Sequence, residues 1–246
     1  MSAIISDNAF KTLANTRQAE EDNMSAIVAY ILSLDSNITC DTTVNAEYSN
    51  PDTSHVPTFN FTIKTNFVLR FKRANPLSTN FEKKYYVSAI INGIEQNRQN
   101  YPFNDNQYYA RFVTAINTDF FFFWFGWGGT QDAGLIWSMA YVCDDNRNPH
   151  GGTRSSSAPV DITAAQFYDL TDNSTGQFVT LINFNAPAGF LAFSEMCPFI
   201  GSGNTYLFGV KDLASCSGVT TFSTIALNNG RVYWAVAPHT VVEISS

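Results

Sequence analysis

Phe59-Asn60-Phe61-Thr62-Ile63-Lys64-Thr65-Asn66-Phe67-Val68-Leu69-Arg70-Phe71-Lys72 decides the fold class of this chain. Apolar residues stand at 59, 61, 63, 67, 69 and 71, with polar residues at almost every position between. A period of two sends alternate side chains to opposite faces of an extended backbone, so the stretch predicts a long strand or hairpin that buries a Phe-rich face. Only Thr65 on the apolar side and Val68 on the polar side break the alternation.

The same pattern recurs along the chain. Strands are expected at Tyr85–Ile91 and Ile94–Gln96, flanking Asn92-Gly93, a dipeptide that favours a tight hairpin. Further strands are expected at Tyr108–Ile116, Phe120–Trp127 and Leu135–Cys143, with Asn117-Thr118-Asp119 as a turn. Phe178–Phe184, Phe190–Phe193, Tyr206–Val210, Thr220–Leu227, Val232–Val236 and Thr240–Ile244 follow, the last three around a turn at Asn228-Asn229-Gly230. Asp144–Pro159 carries no apolar periodicity and many turn formers, and reads as a long exposed loop or linker. Short strands and polar turns without intervening helical patterns predict a mainly β protein, an antiparallel β-sandwich of jelly-roll-like type.

The first 36 residues read differently. Phe10, Leu13, Arg17, Glu20, Met24, Ile27, Ile31 and Leu34 follow the 3-4 spacing of a heptad seam, after N-cap residues Ser6, Asp7 and Asn8. Asp35, Ser36 and Asn37 supply the stop. The organisation expected is an N-terminal amphipathic α-helix over residues 1–38 and a β-sandwich domain over 39–246, with a split into two subdomains near 144–159 as its alternative. A helix of this length needs a partner surface. Phe10, Leu13, Met24, Ile27, Ile31 and Leu34 are therefore the expected oligomerisation residues, with packing against the chain's own β-domain as the other reading.

Composition narrows the function. The 246 residues include only 14% charged side chains and carry a net charge of −7, so the clustered basic surface that phosphates demand is missing and nucleic acid is not an expected partner. The N-terminus MSAIISDNAFKT lacks a positive region followed by an apolar core, which predicts synthesis without a secretory leader. Phe120–Trp127 is too short for a bilayer-spanning helix, and no membrane insertion is expected. Cys40, Cys143, Cys197 and Cys216 form no C-x-x-C pair and have no neighbouring His, so free thiols are expected and no metal or other cofactor. Asp144-Asp145-Asn146 with Asn148 has the look of a calcium loop, but Pro149 and Ser155 stand where such a loop needs Gly and a bidentate Glu.

Catalytic motifs of the G-x-S-x-G, H-E-x-x-H and phosphate-loop kinds do not occur. Asp169, Asp172, Glu195 and Asp212 could supply a glycosidase pair, but nothing in the spacing pairs them. The run Phe120-Phe121-Phe122-Phe123-Trp124-Phe125-Gly126-Trp127 is apolar on both faces of a strand. Burial is expected for Phe120 to Phe123, while Trp127 between glycines is a candidate sugar platform. Tyr108, Tyr109, Trp127, Asp144, Asp145, Arg147, His150 and Arg154 are the candidate ligand or partner contacts.

An N-terminal helix before a sparsely charged, Asn- and aromatic-rich β-domain without a leader resembles bacteriophage virion proteins of the tail, fibre or capsid-decoration kind. The resemblance rests on layout and composition. It implies a non-enzymatic structural protein of an extracellular particle, made in the host cytoplasm, whose partners are copies of itself, neighbouring virion proteins and host-surface glycan. A carbohydrate-binding module, a small plant- or animal-virus coat protein and a polysaccharide hydrolase are the alternatives.

Overall fold

The computed structural model describes residues 2–11, 17–43, 58–73, 84–102, 109–128, 135–144, 146–155, 166–171, 179–181, 197–200, 206–210, 213–215, 219–227, 230–237 and 240–245. Its elements run β1 (Ile4–Lys11), α1 (Arg17–Ser33), β2 (Thr39–Thr43), β3 (Thr58–Lys64), β4 (Phe67–Arg73), β5 (Lys84–Ile91), β6 (Ile94–Pro102), β7 (Tyr109–Ile116), β8 (Phe120–Gly128) and β9 (Leu135–Cys143). There follow β10 (Pro149–Ser155), β11 (Gln166–Asp169), β12 (Val179–Leu181), β13 (Cys197–Ile200), β14 (Tyr206–Val210), β15 (Leu213–Ser215), β16 (Thr224–Ala226), β17 (Val232–Ala237) and β18 (Thr240–Ser245). The protein is mainly β. Its sheets have the orders β2-β3-β4-β5-β6, β15-β18-β17-β16 and β1-β7-β8-β9-β10-β11-β12-β13-β14.

The chain divides into two compact units. One comprises Met1–Asp7, Val113–Trp124 and Trp137–Ser246, the other Asn8–Phe112 and Phe125–Ile136. The division falls inside β1, β7, β8 and β9 and not near 144–159.

In the second unit the stretch 59–72 is a hairpin. β3 and β4 turn at Thr65-Asn66, where Asn66 takes a φ of 61°, and the register shifts between Thr62 and Lys64, just before Thr65 breaks the sequence alternation. Phe61, Ile63, Phe67, Leu69 and Phe71 are at most 3% exposed. Each such side chain contributes about 1.5–3 kcal/mol by leaving water. On the other face the Arg70 Nε–H donates to Asn60 Oδ1 at 2.8 Å, and the Ser88 hydroxyl donates to Glu95 Oε1 at 2.6 Å. Asn92 and Gly93 turn β5 into β6 with φ of 50° and 78°, the left-handed pair that matches strand twist. The inner face meets β7 and β8 through rings: Phe71 lies 6.4 Å from Phe112 and 6.3 Å from Phe125. This unit is a two-layer, sandwich-like arrangement.

The N-terminal segment corrects the expected continuous helix. Residues 4–11 are strand and helix begins at Arg17. Ile4-Ile5 favours extended backbone, Ser6-Asp7-Asn8 are poor inside a helix, and pairing with β7 decides the matter. Phe10 belongs to no helical seam; its ring packs edge-on to Tyr30 and Phe112, each at 5.7 Å. On α1, Asn23, Met24, Ile27, Tyr30 and Ile31 form the buried stripe, with Ile27 and Ile31 at 0% exposure. Met24, Ile27 and Ile31 therefore pack within their own chain and are not open to a neighbouring copy. Leu34 and Phe10 are half-buried, and Leu13 lies outside the described residues. The stop matches expectation: Asp35 Oδ1 accepts the Asn37 N–H at 2.9 Å just beyond the helix.

In the first unit, Phe120 to Trp124 are at most 1% exposed, as expected for a strand covered on both sides. Trp124 meets Trp234 of β17 edge to face at 6.1 Å, which places β8 and the four-stranded sheet in two layers. A second correction concerns 144–159. Pro149–Ser155 is not loop but β10, hydrogen-bonded to β9 on one side and to β11 on the other. Its residues give no apolar signal because its small members serve large neighbours. Gly151 stands between Tyr141 and Tyr168, and Gly152 between Ala140 and Phe167. A glycine so placed leaves room for cross-strand rings. Thr153 is buried but satisfied, its hydroxyl donating to the Ser138 carbonyl at 2.9 Å. Strand β2 likewise begins in a stretch without periodicity, and its partner is the Phe-rich β3.

Candidate functional site

The turn from β9 to β10 gathers three of the expected contact residues around one carboxylate. Asp144 Oδ1 accepts the backbone N–H groups of Asn146 and Asn148, both at 2.8 Å. Oδ2 accepts the Asn148 side-chain amide at 3.0 Å and faces His150 Nε2 at 3.3 Å. The backbone closes the turn too, with Asp144 N–H on the Asn148 carbonyl and Arg147 N–H on the Asp144 carbonyl, each 3.0 Å. Arg147 occupies the left-handed region at φ 67°, and its guanidinium forms an ion pair with Asp119.

Asp119 belongs to the β7–β8 turn. Asn117 Oδ1 holds that turn by accepting the N–H groups of Asp119 and Phe120 at 2.7 and 3.0 Å. The Asp119 carbonyl accepts the Cys143 N–H at 2.8 Å, so the two turns are tied by backbone as well as by charge. The Cys143 sulfur lies 3.1 Å from the Tyr141 hydroxyl. Burial, reinforced by Cys143, pushes the Tyr141 phenol well above its ordinary range.

Electrostatics fix the charge states. Burial raises the Asp144 carboxyl, but the hydrogen bonds from Asn148, His150 and Asn146 outweigh it and hold the group below its usual value. For His150 burial wins and lowers the pKa, against the pull of Asp144 and Asp169. At neutral pH the pair is thus a carboxylate and a neutral imidazole donating from Nε2. A carboxylate offers about four acceptor positions, and all four of Asp144's are engaged. The carboxylate holds the turn, and the groups left facing solvent are Asn146, Arg147 and Asn148. Side chains of these types can make hydrogen bonds, and that of Arg147 carries charge.

The remaining expected contacts are not gathered here. Arg154 is at the far end of β10, about 13 Å from His150 at the usual strand rise. Tyr109 opens β7 in the other unit, half-buried. Tyr108, Asp145 and the Trp127 side chain lie outside the described residues. The sequence reading missed Asp119 and Asn117, which showed only as turn formers, and Phe222, whose role below had no signal at all. Among the described residues no group of His, Cys, Asp and Glu is arranged to hold a metal ion, and no helix is long and apolar enough to cross a membrane.

No protein-family model, curated protein or solved structure matches this chain.

Proposed function

We propose that this chain is a non-enzymatic structural component of a bacteriophage particle, of the tail, fibre or capsid-decoration kind, acting through contacts with its own copies, neighbouring virion proteins or the host surface. The observation that carries the reading is the Asp144 turn. A buried carboxylate spends its bonding capacity on the Asn146 and Asn148 N–H groups, the Asn148 amide and His150, and so fixes the shape of a turn that exposes Asn146, Arg147 and Asn148, which is how a contact surface is pre-organised. The sparsely charged sequence and sheets built of antiparallel meanders support the same reading. Of the jelly-roll-like form expected from the sequence, the antiparallel two-layer arrangement within each unit is the part that the strand orders favour.

Contacts through the helix seam are replaced in this proposal by contacts through the turn. The test is the solution mass of the purified chain, against a monomer of 27.3 kDa, with mass spectrometry of density-banded particles from cells carrying the gene. The expected result is a defined oligomer or a particle-associated protein, released by Arg147→Glu while circular dichroism stays native. A monomer at every concentration that is also missing from particles would defeat the proposal.

A further inference from the structure

Alternation along β8 places Trp124 beside Phe122, the two rings stacked at 5.4 Å. Trp234 of β17 meets Trp124 edge to face, and Phe222 lies against both, stacked on Trp234 at 5.2 Å and edge-on to Trp124 at 5.3 Å. Two features of this trio are costly. Phe222 sits at φ 65°, a region that bulky residues avoid. The Trp124 indole N–H is fully buried and has no hydrogen-bond partner among the described residues, although buried indoles ordinarily find one.

Phe222 is also the least enclosed member. It is half-buried, on a turn before β16 that is tied to β17 through Phe222 N–H on the Ala235 carbonyl at 2.7 Å and Ala235 N–H on the Ser223 carbonyl at 2.9 Å. A return of Phe222 to ordinary backbone angles would lift its ring from Trp234 and relieve the strain. What then fits the vacated face better than Phe222 is a ring with one apolar C–H face and acceptor oxygens on its rim, because phenylalanine supplies the face and no acceptor oxygen for the N–H. A pyranose has both.

We propose that Trp124 and Trp234 form a sugar-binding site that the ring of Phe222 plugs in the unliganded protein, the sugar stacking on Trp234 and accepting from Trp124 Nε1. The site extends the host-attachment side of the function proposed above. It would bind equally well in a monomer, so its failure and the failure of the particle reading are separable.

The experiment titrates the full chain with methyl pyranosides of glucose, galactose, mannose and N-acetylglucosamine, following indole N–H signals by NMR. The Trp124 signal is assigned by its loss in Trp124→Phe. It is expected to shift saturably, with binding weakened about three- to tenfold in Trp124→Phe, which keeps a ring but removes the donor. Phe222→Gly tolerates the backbone angle and removes the plug, so it should tighten binding about tenfold. If that variant does not fold, Phe222→Asn carries the same expectation, since Asn also accepts the left-handed region. The proposal is overturned by no saturable response in wild type and the Phe222 variant. Unchanged affinity in Trp124→Phe overturns it too, as does a Phe222→Gly protein that binds benzene but no pyranoside.

Discussion

Single side chains carry two kinds of cost in this protein. Phe61, at 0% exposure, shows the first. Phe61→Asp buries a charge without a partner and should destabilise by about 3–5 kcal/mol, whereas Thr62→Asp on the half-exposed face of the same strand should cost under about 1 kcal/mol. Denaturant midpoints of the two variants compare them directly. Asp144 and His150 show the second kind, which depends on pH. His150 is neutral when folded and its pKa is lowered, so the unfolded chain takes up a proton near pH 6.5 before the folded one does. Asp144 is ionised with a lowered pKa, so its contribution is present above the ordinary carboxylate range and is lost as pH falls through the folded value. Both signs agree: stability should fall on acidification, first below about pH 6.5 and again in the carboxylate range. Asp144→Ala should remove the second step and lower stability at pH 7 by about 2 kcal/mol, and thermal melts across pH would reveal either. Of this site the sequence showed the residue types and the turn. It could not show that Asp119, separated from Asp144 by all of β8 and β9, completes it, because that pairing is a product of strand register.

At the scale of elements, strands that carry an apolar signal were legible, whether one face is half-exposed as in β4 or both are covered as in β8, and a strand without that signal was not. β4, β5, β14, β17 and β18 stand within about two residues of where alternation or hairpin signals put them, while β10 was hidden because its buried side chains are His150 and Thr153 and its centre is Gly151-Gly152. β1 was hidden for a different reason. A 3-4 spacing running through Phe10 and Leu13 is compatible with helix, yet only tertiary pairing chooses between helix and strand there. The outcome changes what helix mutations should do. Ile27→Asp with Ile31→Asp now introduces two charges into the chain's own core, so the double variant should unfold or aggregate. Recovery of a folded, soluble protein of reduced mass in solution would instead restore the open-seam reading of α1.

For the molecule as a whole, the two units are not successive stretches of sequence. A fragment spanning residues 8–112 keeps β2 to β6 but loses Phe125, whose ring lies 5.2 Å from Phe112 and 6.3 Å from Phe71. That fragment should fail to give a cooperative melt, whereas the intact chain should show mostly β structure with a minor helical component by circular dichroism. A sharp melt from the fragment would mean that the hairpin sheet needs no second layer. The same interleaving bears on how such a protein can be altered over generations. The boundary between its units cuts the chain four times, each time within a strand. Recombination at a single crossover can therefore deliver neither unit whole to another gene. Exchange of one unit for another in a single event is closed here, and novelty has to enter through the turns.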